Sequence, residues 1–370
     1  MKNIVIGVDA SRSNVAQKTG TEYYSQEIIK NLVKLPGATF RLYSKTPLEF
    51  LHKTPNIEFK VMRFPKLWSQ IRLSWELISQ SPDVLFEPAH TIPIFHPEKV
   101  VTTLHDVGFK YFPELYTPLE RIYHDWSMAF AVRHGTKIIA ISNATKKDLI
   151  KFYNADPRKI TVIYHGYDKE KFYPAKNSSA PEEINKLGDY IYFIGRLEAK
   201  KNITTLIKAY GLLRLKHPTL RTKLVLAGRP GYLYEEIQDE INKLDRRIVL
   251  DIVQPGYIPD EIMADYLRFA KVFAFPSRFE GFGMPLVEAM ACGVPVVASN
   301  CTSIPEICDD AALLHKTEDH KELSQLLYKA ISDNKTRDDL ISRGFKRAKV
   351  FDWAKAAEKT FDVINDAVKN

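Results

Sequence analysis

Cysteine is scarce in this chain, and no part of it is apolar for long. Cys292, Cys301 and Cys308 are the only cysteines among 370 residues. They lie close together but without the spacing of metal ligands, and an odd number excludes a fully paired disulfide framework. They read as free thiols in a reducing compartment, with Cys292 a small buried residue of an apolar helix. No run reaches the roughly 18 uninterrupted apolar residues that a membrane-spanning helix needs. The opening MKNIVIGVDA passes directly into a strand pattern and lacks the layout of a secretory signal, so a cytoplasmic protein is expected. There is also no P-loop, no G-x-G-x-x-G and no His/Cys ligand cluster.

The charge is unbalanced but not concentrated. The formal net charge is +8, and residues 1–170 hold 23 Lys and Arg against 17 Asp and Glu. Such a bias suits nucleotides, phospholipid surfaces or nucleic acid, and it also serves plain solubility. No run of five or six cations occurs and no nucleic-acid recognition motif is present, so a basic nucleic-acid-binding protein remains only a competing reading.

Short β-branched runs alternate with helix-period segments. In the first half the candidate strands are IVIGVD, FRLYS, EFKVMRF, DVLFEP, VVTTLHD, KIIAIS and ITVIYHG. In the second they are YIYFIG, KLVLAG, IVLDIV, VFAFPS, PVVAS and AALLH. Near-continuous apolar strands between amphipathic helices indicate parallel sheets covered on both faces. Tyr24, Ile28, Leu32 and Leu35 mark one face of an intervening helix. The alternation breaks at residues 174–188, PAKNSSAPEEINKLG, a polar stretch rich in Pro, Ser and Asn. The fold expected is α/β: two doubly wound Rossmann-like domains, 1–173 and 189–350, joined by that linker and followed by a C-terminal helix at 351–370 that is expected to pack back toward the N-terminal domain. Ligands of such sheets bind beyond the carboxyl ends of the strands, and a cleft between two such domains is a favoured place.

Two segments carry chemistry. In SRFEGFGMPLVEAMACGVPVVAS (277–299) a buried strand ends at Ser277 and the turn Gly281-Phe282-Gly283 leads into a helix with Pro285 in its first turn; Gly293 ends that helix. Unpaired N–H groups and a positive dipole end make such a turn an anion site. Glu280 and Glu288 flank it as hydrogen-bond acceptors for sugar hydroxyls, although either alone could be an ordinary loop or helix acid. In IGRLEAKKNITTLIKAY (194–210), Arg196 follows a strand end and Lys201 precedes a helix. Arg offers a planar fork to phosphate and Lys a mobile point charge, so the pair could hold a diphosphate.

These two blocks resemble the donor-site signatures of glycosyltransferase family 4, retaining enzymes of the GT-B fold. Glu280 and Glu288, with seven residues between them and the first opening EGFG, match the family's paired glutamates, and Arg196 and Lys201 its basic pair. GYIPDEIMADYLRFA (256–270) is similar to the family's nucleobase-side loop, SNCTSIPEI (299–307) to the segment after the last core strand, and IYHGYDKEKFYP (163–174) to the approach to the linker. KTGTEYY (18–24) takes the place of its glycine-rich loop with Gly20 alone, and TLHD (103–106) that of its His block.

The resemblance implies a retaining hexosyltransferase of cell-surface polysaccharide synthesis. It most resembles bacterial surface-polysaccharide mannosyltransferases, which favours GDP-mannose as donor; a UDP-glucose-dependent glucosyltransferase is the alternative, and a GT-B-fold epimerase a more distant one. His105, Arg196, Lys201 and Glu280 would form the catalytic set. Gly20, Tyr257, Ile258, Gly281, Phe282, Gly283, Met284 and Glu288 would bind the donor. D-x-D, the metal signature of the other large glycosyltransferase fold, is missing, so neither metal nor cofactor is expected. The acceptor would be a glycan or a lipid-linked sugar. KLWSQIRLSWEL (66–77) places Leu67, Trp68, Ile71 and Trp75 among basic residues. It reads first as an amphipathic core helix, and otherwise as a peripheral contact with the inner face of a membrane.

Overall fold

The computed structural model describes residues 4–15, 19–175 and 179–369; Met1 to Asn3, Lys18 of the KTGTEYY segment and residues 176–178 of the expected linker lie outside the described residues. Among the described residues thirteen strands form two wholly parallel sheets. The first comprises β1 (Ile4–Asp9), β2 (Ala38–Ser44), β3 (Ile57–Val61), β4 (Val84–Glu87), β5 (Val100–Leu104), β6 (Lys137–Ala140) and β7 (Ile160–Val162). The second comprises β8 (Tyr190–Ile194), β9 (Lys223–Ala227), β10 (Ile252–Gly256), β11 (Val272–Phe275), β12 (Val296–Ser299) and β13 (Ala312–His315).

Their orders are β3-β2-β1-β4-β5-β6-β7 and β10-β9-β8-β11-β12-β13. Both sheets therefore wind outwards in two directions from their first strand. The reversal lies between β1 and β4 in one and between β8 and β11 in the other. Helices leaving neighbouring strands there go to opposite faces, which opens a crevice at the carboxyl ends.

One expected strand is misplaced. IVLDIV (248–253) was expected to be extended, but Asp245 caps a helical turn, Arg246–Val249, by accepting from the Arg247 N–H at 2.9 Å. Ile248 is buried from that turn and β10 begins at Ile252. The helix Gly20–Leu32 buries Tyr24, Ile28 and Leu32 completely; Leu35 lies past its end.

The chain divides into two compact units, Met1–Gly166 with Asp352–Asn370, and Tyr167–Phe351. The division precedes the polar stretch at 174–188 because residues 167–173 are tied to the second unit. The Arg268 guanidinium donates to the carbonyls of Lys171 (2.9 Å) and Tyr173 (2.8 Å) and stacks 4.0 Å from the Tyr173 ring centre. The final helix, Trp353–Lys369, places Ala356, Ala357, Thr360, Ile364 and Ala367 on one buried face. It packs against the helix Gly20–Leu32, and Lys137 pairs with Asp366 at 2.5 Å. An amphipathic helix is stabilised mainly by covering such a face, here one side of the first sheet.

Candidate active site

In the second unit the chemistry gathers at the β8/β11 reversal. Gly195, Gly228 and Gly256 stand at the carboxyl ends of three adjacent strands with φ of +152°, +142° and +74°. The Gly195 N–H donates to the Ala227 carbonyl (3.0 Å) and the Gly228 N–H to the Gly256 carbonyl (2.8 Å), and at Gly228 the Gly195 carbonyl oxygen comes so near that no side chain would fit. This floor directs the two segments that follow it.

After Gly195 the chain makes a tight turn, Ala199–Lys201, closed by Asn202 in a left-handed conformation. Asn202 is fully buried; its amide donates to the Thr317 carbonyl at 2.7 Å and its side-chain oxygen accepts from the Thr205 hydroxyl at 2.8 Å. Lys201 is thereby aimed at Glu280, and its Nζ lies 2.6 Å from the Glu280 Oε1. The two groups were inferred for separate tasks, diphosphate and sugar, yet they form one mostly buried pair. Glu280 is held from the other side: its N–H donates to the Thr302 hydroxyl (3.1 Å), and the Ser303 hydroxyl contacts the carbonyls of both Glu280 (2.9 Å) and Phe282 (3.0 Å). Arg196 is different. Its side chain is 68% exposed, lies over Gly231 and approaches Glu198 only at 3.7 Å.

The turn Gly281-Phe282-Gly283 is buried. Gly283 adopts φ +96° at the N-cap of the helix Met284–Cys292, and Gly293 adopts φ +75° at its C-cap. The half-buried Met284 is the first helical residue. The Phe282 ring packs edge-on against Phe351 at 5.7 Å. Its side chain therefore belongs to the core and only its backbone is left for a donor. Ile258 is likewise buried, whereas Tyr257 is exposed with the Arg229 guanidinium 4.5 Å from its ring centre.

Glu288 has neighbours different from those of Glu280. It is buried in the first turns of its helix, and burial pushes its carboxyl up from 4.5 to about 7; Lys171 opposes that shift, while Asp260 and Asp168 add to it. Below pH 4.5 the folded and unfolded chains both hold this proton. As pH rises towards 7 the unfolded chain releases it first, so Glu288 withdraws stability across that window, by up to about 3 kcal/mol above it. Glu288→Gln should therefore melt close to the wild type near pH 4.5 and above it at about pH 8. Parallel melting curves at both pH values would contradict this electrostatic reading.

In the first unit His105 directly follows β5 and is buried. Its Nε2 is 2.8 Å from the Pro88 carbonyl and must carry the proton that is donated there. Burial pushes its pKa down, so the ring is neutral, with Nδ1 free of that hydrogen bond. Tyr24 packs edge-on against it at 4.9 Å. Gly20 opens the helix Gly20–Leu32, and an added methyl group there would meet nothing within 4 Å. Nothing in the fold requires glycine at that position.

Several residues of these strand ends escaped sequence reasoning. Asp9 and Glu87 close β1 and β4 at the first sheet's reversal, and both are buried. Burial, followed by the nearby Asp9, raises Glu87 well above the usual carboxylate range, so it is held protonated. In the loop after β4, His90 has φ +57° and is pushed by burial down to about 3, with His105, Arg12 and His124 adding to the shift. Single acids at strand ends and a lone histidine in the loop that follows carry no periodic signal. Arg229 and Lys171 were missed for the same reason, although GRPG (228–231) after a strand was a visible turn signal. All three cysteines are free thiols, with Cys292 and Cys308 buried.

Two parallel-sheet Rossmann-like units with chemistry at both reversals define the GT-B class of glycosyltransferases. The family model "Glycosyltransferase Family 4" matches residues 19–171, and "Glycosyl transferases group 1" matches residues 175–347. The chain belongs to glycosyltransferase family 4, and it is a glycosyltransferase. It is similar to the O-antigen chain mannosyltransferase B of Escherichia coli, at 28% identity over 93% of this chain and 95% of that protein. The D-inositol 3-phosphate glycosyltransferase of Corynebacterium kroppenstedtii is 28% identical over 64% of this chain, with 55% of that protein covered. Anabaena HepE, solved with UDP and glucose, superposes with a TM-score of 0.71 at 20% identity, covering 98% of this chain and 99% of that one.

Proposed function

We propose that this enzyme transfers mannose from GDP-mannose, with retention, to a glycan or lipid-linked acceptor during cell-surface polysaccharide synthesis in the cytoplasm. The observation that carries the site is the Lys201–Glu280 pair, held at 2.6 Å beside the N-terminus of the helix Met284–Cys292. Lys201, Arg196 and the amides of Gly283 and Met284 would stabilise the departing diphosphate, where negative charge grows as the bond from the sugar C1 breaks. Glu280 would orient the donor sugar through its hydroxyls and Glu288 the ribose. Backbone near Tyr257 and Ile258 would read the base, Gly20 would admit the diphosphate and His105 would face the transferred sugar.

Mannose is favoured by the likeness to a mannosyltransferase along almost the whole chain. UDP-glucose remains the second reading, because the structural relative HepE holds UDP and glucose. A screen of nucleotides by thermal shift decides between them. At a hundredfold excess over its dissociation constant, the right nucleotide adds about 2.7 kcal/mol, a rise of roughly 5–10 °C for a unit of this size. GDP should protect well beyond UDP; a clear preference for UDP would overturn the mannose assignment.

We also expect catalysis without a divalent cation, with Lys201, Arg196 and the helix N-terminus carrying the positive charge. Transfer measured in excess EDTA should match the untreated rate. Loss of activity that Mn²⁺ or Mg²⁺ restores would replace this model of the site.

A further inference from the structure

We propose that His165 is a positioning residue for His105, acting with Tyr24 and Trp353 as an aromatic wall behind that ring. The proposal rests on the reading of His105 as the group that faces the transferred sugar, and it adds residues that the catalytic set above does not include. The geometry of four rings carries it. All four are buried and all belong to the first unit, although they come from four separate pieces of chain.

One hydrogen bond does not fix a ring. His105 donates from Nε2 to the Pro88 carbonyl at 2.8 Å, and its own carbonyl accepts from the Thr145 hydroxyl at 3.0 Å. The backbone and one nitrogen are thereby held, but the ring plane can still rock about the Nε2 bond. Tyr24, on the helix Gly20–Leu32, stops that motion. Its ring meets His105 edge-on, with centres 4.9 Å apart and planes at 82°. Tyr24 is anchored at its tip, where its hydroxyl lies 3.0 Å from the Thr103 hydroxyl on β5, and it is backed by His165 at 4.7 Å. His165 also lies 5.9 Å from His105 and stacks on Trp353 at 5.6 Å, with planes 23° apart. Ring pairs at such separations attract beyond simple burial, so each member stiffens the next.

The backbone permits this stack at one point only. Gly166 follows His165, and a methyl group on it would lie 2.2 Å from the Trp353 nitrogen and 2.6 Å from its Cγ. Any residue but glycine would push the two segments apart. The same segments are where the chain leaves the first unit, after Gly166, and where it returns, at Asp352. Trp353 opens the helix Trp353–Lys369, so the return of that helix delivers the last ring of the wall.

The wall also keeps water from His105. Burial pushes the His105 ring towards its neutral form, while the Pro88 carbonyl, Asp106 beside it and Glu22 on the helix Gly20–Leu32 pull the other way. His90, in the loop after β4, and His165 are themselves held neutral by burial, and a charge on His105 would hold them so more strongly. Two acids thus favour a proton on His105, and exclusion of water outweighs them. A flat ring at position 165 serves both the plane of His105 and its charge state.

Two substitutions separate positioning from packing. His165→Leu keeps an apolar side chain of similar volume without a flat face, and His165→Phe keeps the face. In His165→Leu, turnover of GDP-mannose and of UDP-glucose, measured side by side, should fall about tenfold or more for the donor used, with a Michaelis constant within about twofold of wild type. Misplacing a reacting group costs rate rather than donor binding. The His105 ring signal, assigned by NMR through its loss in His105→Asn, should titrate nearer its ordinary value of 6.5 than in the wild type. His165→Phe should restore both the rate and the titration. The titration needs no donor, so it stands apart from the choice between GDP-mannose and UDP-glucose. Wild-type turnover in His105→Asn would overturn the reading of His105 and the proposal with it. An inactive His105→Asn beside a His165→Leu unchanged in rate and titration would overturn the proposal alone. So would a His165→Phe as impaired as His165→Leu, because the loss would then not follow the ring face.

Discussion

Lys201→Ala is expected to lower turnover about a hundredfold or more, the usual scale for removing a charge contact that matters in the transition state. The reason lies in the pairing. Lys201 is mostly buried, and its ammonium is 2.6 Å from Glu280 and 5.6 Å from the centre of the Phe275 ring. Little water competes there for the charge, so a diphosphate arriving beside it would gain more than at an open surface. The substitution also leaves Glu280 as an uncompensated carboxylate, which costs about 1–3 kcal/mol and lowers the melting temperature. Arg196→Ala separates the two effects. Its side chain is largely exposed and 3.7 Å from its nearest acid, so folding should be untouched while turnover falls by a similar factor. Steady-state rates and melting curves on the two variants check both statements. Wild-type turnover in either would remove that residue from the site.

Gly228→Ala should have the largest effect on stability. A methyl group there would lie 1.7 Å from the Gly195 carbonyl oxygen and 2.8 Å from its carbon, both backbone atoms that no rotamer change can move. The position also has φ +142°, which L side chains rarely adopt. The ends of β8 and β9 would have to separate, and the turn that aims Lys201 begins at that point. A loss of about 3 kcal/mol or more follows, seen as a melting temperature lower by roughly 6–12 °C for a unit of this size. Nucleotide binding should weaken with it. Gly20→Ala is the control, because its added methyl meets open space and alanine favours the helix that Gly20 begins. It should melt at or above the wild-type temperature while weakening donor binding, if the diphosphate approaches there. Near-wild-type melting of Gly228→Ala would mean that the strand ends are not packed as closely as described.

Much of this architecture was legible in the amino-acid order. Short, near-continuous apolar runs between period-3.6 segments located the strands, with β10 displaced because Asp245 caps a turn inside such a run. Pro285, Gly283 and Gly293 marked the helix Met284–Cys292, because proline lacks an N–H and only glycine enters the left-handed region freely. The Glu280 to Glu288 spacing and the Arg196–Lys201 block identified the family, since local backbone geometry and ligand chemistry both leave local traces. Tertiary structure decided what depends on residues distant in sequence. It joined Lys201 to Glu280, turned the Phe282 ring into the core and set Glu288 among Lys171, Asp168 and Asp260. It brought Asp9 next to Glu87 at the ends of adjacent strands. It also decided which side of residues 67–78 faces outwards. A helical stripe shows that one side is apolar, but whether that side is covered depends on what the rest of the chain packs against it.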